Sequence, residues 1–183
     1  FFVDVMTGIP SIVAGLFAYA LFVIFFGPGV RMGFAGAIAL SVLMIPVVVR
    51  SSEEILRIVP NELREASYAL GVPKWLTILK VVVPTAIAGI TTGVMLSIAR
   101  VIGETAPLLL TAGFVDSMNY DLFDGRMQTL PVYVYSMFKY PGLPPEYYIE
   151  KAWTGALTLI IIVMLLNLIA RLVARFFAPK TGR

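Results

Sequence analysis

A bundle of membrane-crossing α-helices is the fold class this sequence predicts, and three observations carry the prediction. Hydrophobic residues fill 59% of the 183 positions and charged residues only 14%, where a soluble domain carries about 25% charged residues. The mean hydropathy is +0.90. The apolar residues also lie in runs close to the roughly 20 that a helix needs to cross a hydrocarbon core about 30 Å thick. The class is therefore all-α and polytopic, with the chain forming one transmembrane domain over 1–183.

The first run covers 9–26 and is bounded by Gly27-Pro28-Gly29; the second covers 33–49 and stops at Arg50. The third, 81–102, begins near Pro84, and the fourth is 152–177. A further apolar stretch, 106–115, is too short to cross and reads as a continuation or half-span after breaks at Gly103 and Pro107. Gly8-Ile9-Pro10-Ser11 reads as a kinked or close-packed entry to the first span, with no ligand role.

Basic residues orient the bundle. The 50–80 loop carries Arg50, Arg57, Arg64, Lys74 and Lys80, and the C-terminal segment carries Arg171, Arg175, Lys180 and Arg183. Arg31, Arg126, Lys139 and Lys151 fall on the other side. An excess of Lys and Arg marks the cytoplasmic face, so the 50–80 loop and the C-terminus are expected there. Four crossings close this topology without contradiction. The external loop, 116–150, is rich in Tyr and Pro, and Tyr133, Tyr135, Phe138, Tyr140, Tyr147 and Tyr148 suit a helix or hairpin at the membrane interface or a surface for an external partner.

Several function classes fall away. With no Cys and no His, disulfides, Cys/His zinc sites, thiol nucleophiles and imidazole catalysis are excluded for this sequence. No cofactor or metal is expected. The net charge of +3 is dispersed between apolar runs rather than gathered into a basic patch with aromatics, which argues against nucleic-acid binding. The sequence opens at Phe1 and enters apolar sequence at once, without the pattern of a signal peptide, and is expected to be a piece whose start lies upstream.

The loop between the second and third spans has its own helix signals. Asn61 suits an N-cap, Glu62 and Glu65 suit the first turn, and Gly71 with Pro73 suits a stop after Leu70. A second amphipathic run, 75–83, leads into Pro84. A short capped helix with Ala66 and Ala69 on one face is suited to a groove on another protein, or to an ordinary place at the surface. Glu65-Ala66-Ser67, then Gly71, then Val83-Pro84 resembles the EAA loop of ABC-importer permeases, departing at Ser67 where that pattern has Ala. In that family the loop forms a coupling helix that docks on the ATP-binding subunit. The resemblance implies the MetI-like ABC permease fold and a coupling role for Glu65, Ala66, Ser67, Gly71 and Pro84.

Three further runs narrow the resemblance: 8–17, Arg50-Ser51-Ser52-Glu53-Glu54, and 99–108 with its Glu104-Thr105-Ala106-Pro107. Together they resemble PstA-type permeases of phosphate importers rather than the PstC-type partner. Members of that group have two further spans ahead of the segment matching Pro10-Ser11. The resemblance implies a PstC-type second permease, two cytoplasmic ATP-binding subunits, an external phosphate-binding protein and the inner membrane of a prokaryote. No G-x-x-x-x-G-K-[ST] loop occurs in the sequence, so ATP hydrolysis is expected on partner subunits and this chain is not expected to be an enzyme.

Arg100 and Glu104 lie in or near the outer end of the third span, four apart and thus on one helical face. Charges in a span face the bundle interior or a wet path. With Arg50 they give two guanidinium groups against one carboxylate, a balance that suits a tetrahedral oxyanion. Glu104 either tempers Arg100 or accepts the proton of hydrogen phosphate, and Thr105 adds a hydroxyl. A purely structural Arg100–Glu104 ion pair is the competing reading. Other candidates are a sulfate or molybdate ABC permease, a non-ABC anion channel or carrier, and a structural subunit of a membrane complex.

Overall fold

The size of the side chains, more than their polarity, decides which face of the first two long helices turns inward. In the computed structural model, which describes residues 2–177, α1 (Phe2–Thr7) and α2 (Ser11–Phe26) are followed by α3 (Gly33–Ile58). Along α2 the buried positions are Ala14, Gly15, Ala18 and Phe22, while Leu16, Phe17, Ile24 and Phe25 are exposed. Helix α3 buries Ala35, Gly36, Ala39 and Pro46. Lipid is as apolar as leucine, so association between helices rewards close backbone approach rather than removal of large side chains from their surroundings. The seam is tightest where Gly15 faces Pro107: a β-carbon on Gly15 would stand 2.6 Å from the Pro107 Cα.

The loop signals resolve into α4 (Asn61–Ala69) and α5 (Lys74–Thr77). A π-helical turn, Ile78–Val82, then joins α5 to α6 (Val83–Ile102), so that Lys74–Ile102 is one rod. Pro84 has no N–H and its ring crowds the preceding turn; the wider turn just before it, with the Val83 N–H donating to the Ile78 carbonyl, accommodates both. After α7 (Ala106–Thr111), α8 (Leu130–Lys139) lies against α9 (Pro145–Phe177). Helix α9 also packs on α6, α6 on α3, and α2 on both α3 and α7. All of these elements are helical, and no strand occurs among the described residues.

Among the described residues three helices are long and apolar enough to cross a membrane: Gly33–Ile58, Lys74–Ile102 and the stretch Pro145–Val173 of α9. Ser11–Phe26 is shorter, at 16 residues or about 24 Å, and α1 lies ahead of it against α3. Arg50 ends the apolar run of α3 but not the helix, which continues to Ile58. The polar continuation sustains itself through i,i+4 pairs, Arg50 Nε to Glu54 at 3.0 Å and Arg57 to Glu53 at 2.6 Å. Of the sequence features noted above, Phe1, Lys180 and Arg183 lie outside the described residues.

The aromatic-rich part of the 116–150 stretch builds α8, with Val132 fully buried and Phe138 exposed. Ahead of it, Asn119 braces the loop, its amide donating to the carbonyls of Asp124 and Arg126 at 2.8 and 3.0 Å.

Candidate functional site

Two helix breaks border one cavity. Helix α6 ends at Ile102, and the Gly103 and Glu104 N–H groups fold back to the Arg100 and Val101 carbonyls. The chain resumes at α7, where Pro107 sits in the first turn, a position that needs no N–H. Helix α1 ends in the same manner, Gly8 donating to Val5 and Ile9 to Met6, before Pro10 starts α2.

Between these breaks lies a cavity of about 230 Å³. Met6 and Thr7 of α1, then Ile9, Pro10 and Ser11, form one wall; Leu43, Met44 and Val47 of α3 form the second. Ser97, Arg100 and Val101 of α6, with Glu104, form the third. The opening turn of α2, whose first N–H groups have no partner within the helix, therefore borders the same space as Arg100 and Glu104. Ser97 is buried, its hydroxyl donating to the Gly93 carbonyl at 2.8 Å, and Thr7 donates to the Asp4 carbonyl at 2.8 Å. Both hydroxyl oxygens retain the ability to accept.

Arg100 stands in the last turn of α6, and the level of the cavity along the helices follows from how α6 packs on α3. Gly89 packs on Ile55 and Gly93 on Ser51, and the cavity joins Val47 and Met44 to Ser97 and Arg100. Helices α3 and α6 are thus antiparallel, and Arg100 stands level with Met44. Met44 is eleven residues from the start of α3 at Gly33, about 16 Å along the axis, roughly half of a bilayer core. Helix α7 supplies the remaining distance, and its end is tied to the start of α3 by the Met32 N–H donating to the Thr111 carbonyl at 3.0 Å.

The shared helical face fails. Glu104 stands beyond the end of α6, so the i,i+4 relation does not bring it to Arg100. Among the described residues neither side chain makes an ion pair or hydrogen bond, with the other or with anything else. An arginine and a carboxylate thus border one cavity with their hydrogen-bonding capacity unspent. The set can offer guanidinium donors, hydroxyls and one carboxylate acceptor to a protonated tetrahedral oxyanion.

Arg50 and Thr105 do not line the cavity. Arg50 binds Asp4 on α1 at 2.9 Å and Glu54 at 3.0 Å, and all three are exposed. Thr105 instead begins α7, its carbonyl accepting from the Leu109 N–H at 2.9 Å. Sequence reasoning missed Thr7, Ser11 and Ser97; the Gly8-x-Pro10 break was the one signal that two of them border an interrupted helix.

The second candidate element is α4. Its first residue is Asn61, with Pro60 in the cap position and no side-chain cap bond, which corrects the expected Asn61 cap. The stop is as expected. Gly71 adopts φ +75°, its N–H donates to the Tyr68 carbonyl at 2.9 Å, and the Val72 N–H donates to the Ser67 carbonyl at 3.2 Å. This is a Schellman closure. Glu65, Ala66, Ala69 and Gly71 are exposed, as is Pro84, while Ser67 turns inward to Thr77. Arg64 Nη2 donates to the Leu56 carbonyl at 2.8 Å, which fastens α4 to the last turn of α3.

A family model described as binding-protein-dependent transport system inner membrane component matches residues 1–183. The chain is 50% identical over 183 residues to the phosphate transport system permease protein PstA 1 of Mycobacterium tuberculosis (strain ATCC 25618 / H37Rv), covering all of this chain and 58% of that protein. It is 52% identical over 181 residues to the PstA protein of Mycobacterium leprae, covering 98% and 58%. Against that of Yersinia pestis it is 41% identical over 181 residues, covering 97% and 57%. The chain therefore spans less than two thirds of the length of these relatives. A solved structure of the MetNI methionine ABC transporter, in an inward-facing conformation, matches with a TM-score of 0.75 at 21% identity, covering 97% of this chain and 73% of that one. That likeness is one of fold.

Proposed function

Because the chain belongs to the family of binding-protein-dependent transport system inner membrane components, we propose that it is the membrane part of a permease subunit of an ATP-driven inorganic phosphate importer. The relatives named as phosphate permeases support the substrate. The observation that carries the reading within this chain is the cavity between two helix breaks, bordered by Arg100 and Glu104 without other partners. Phosphate passes along this wall, with Arg100 donating to its oxygens and Glu104 accepting from its proton. Arg50 marks the inner end of the path, and Thr105 sets the break that exposes Glu104.

A second, PstC-type permease completes the path, and an external phosphate-binding protein delivers the anion. Two cytoplasmic ATP-binding subunits carry the hydrolysis, so this chain is a transporter subunit rather than an enzyme. They receive α4 through Glu65, Ala66 and Gly71, with Ser67 holding it to the rod behind and Pro84 in the first turn of α6, where that rod enters the bundle. The basic residues favour a cytoplasmic 50–80 loop and C-terminus in the inner membrane of a prokaryote. The test is ATP-dependent phosphate uptake by vesicles holding the full complex with Arg100→Gln, assembly being checked by recovery of the ATP-binding subunit. Lost uptake with assembly intact is expected; unchanged uptake overturns the role of the cavity.

A further inference from the structure

At the opposite end of α3 from its start, a second and larger recess of about 670 Å³ opens between the last turns of that helix and α4. Its walls change character along α3. Val48, Val49 and Leu56 are apolar, and Ser52, Glu53, Arg57, Asn61 and Arg64 are polar. Nine residues separate Val48 from Arg57 along one helix, about 13 Å, and the apolar run of the span ends within that interval, at Arg50. The recess therefore straddles the level at which hydrocarbon gives way to headgroups.

Its charges do not balance. Arg57 is paired with Glu53 at 2.6 Å and is otherwise exposed. Arg64 has no carboxylate partner among the described residues; one of its donors meets the Leu56 carbonyl, and its buried Nε has no acceptor. A buried donor left without an acceptor calls for one that the chain itself does not provide. Asn61 and Ser52 add neutral donors beside it.

We propose that this recess binds the headgroup of an anionic phospholipid of the facing leaflet. The phosphodiester accepts from Arg64 and Arg57, and the first methylenes of an acyl chain lie along Val48, Val49 and Leu56. A lipid satisfies both halves of the recess at once, whereas free inorganic phosphate has nothing to set against the apolar wall. Glu53 opposes the headgroup and holds Arg57 partly neutralised, which makes its removal informative.

The experiment is native mass spectrometry of the full-length protein, purified with its associated subunits, after equilibration with dioleoylphosphatidylglycerol or dioleoylphosphatidylcholine. Retention of the anionic lipid over the zwitterionic one is expected. Arg57→Gln lowers that retention about fivefold, the effect of one basic residue at an anionic membrane surface, and Arg64→Gln lowers it further. Glu53→Gln raises it, a gain that misfolding does not produce. Equal retention of the two lipids overturns the proposal, as do unchanged retention in both Arg57→Gln and Glu53→Gln and displacement of the lipid by millimolar inorganic phosphate. Loss of an associated subunit from Arg57→Gln with lipid retention unchanged assigns the recess to a protein and also overturns it.

Discussion

The hydroxyls of Ser67 and Thr77 meet at 2.9 Å, both buried, and join the helix that faces outward to the foot of the rod that enters the bundle. Thr77 has a second, longer contact to the Pro73 carbonyl at 3.4 Å, while Ser67 has no other hydrogen-bond partner for its hydroxyl among the described residues. The pair is therefore asymmetric. Thr77→Val strands a buried hydroxyl and is expected to destabilise by about 1–3 kcal/mol, whereas Ser67→Ala leaves Thr77 a partner and loses about 1 kcal/mol or less. Thermal unfolding of the purified assembly, compared between the two variants, checks the order.

Gly71 lies at φ +75°, which an L side chain adopts with strain. Gly71→Val is expected to loosen the last turn of α4 at a loss of about 1–2 kcal/mol, with membrane insertion unaffected. Recovery of the ATP-binding subunit on the tagged permease is the measurement, and a fall of severalfold is expected.

Gly15→Leu puts a side chain where the Pro107 backbone already lies, 2.6 Å from the β-carbon position. No rotamer avoids a backbone clash, so α2 and α7 must part. Overpacking of this kind amounts to about 1–3 kcal/mol or more. A lower melting temperature and reduced yield of assembled protein are expected, and Leu16→Phe, on the exposed face of the same helix, serves as the neutral control.

Glu104→Gln distinguishes two roles for the carboxylate. If Glu104 accepts the proton of hydrogen phosphate, the amide can donate instead, and sulfate, which lacks that proton, gains ground as a competitor. Phosphate uptake is then expected to fall at least tenfold, about 1.4 kcal/mol or more, while inhibition by sulfate appears. Uptake lost without any gain of sulfate inhibition would falsify this selectivity role.

Arg50 is separated from the cavity and occupied by Asp4 and Glu54 at the surface. Exposed pairs contribute about 0–1 kcal/mol. Arg50→Gln is accordingly expected to change uptake by less than threefold under conditions where Arg100→Gln abolishes it. Parallel assays on the same vesicle preparation compare the two directly.

Much of this architecture was legible in the sequence because apolar run length, glycine stops and proline positions act locally. The stop at Gly71 and the break after Gly103 are both where the residues indicated, although the helix after the break ends at Thr111 and does not reach 115. What the sequence withheld depends on the third dimension. The meeting of Arg100 with Met44 at one cavity depends on register, and register between helices about 50 residues apart leaves no local trace. The expected Arg100–Glu104 face assumed an unbroken helix through a glycine that in fact ends it. Asn61 was expected as a cap from its side chain, but Pro60, held near φ −55° and ψ 139°, already occupies the non-helical position and moves Asn61 into the first turn.

The small-residue seam of α2, with Ala14, Gly15 and Ala18 inside and Leu16, Phe17 and Ile24 outside, makes side-chain volume the guide to harmless change. Trimming the half-exposed Leu16 gives up little contact within the chain, while enlarging an inward alanine forces two backbones apart. A scoring scheme that weighs hydrophobicity alone, and so treats Ala→Leu as equally mild on both faces, will therefore misjudge the inward one.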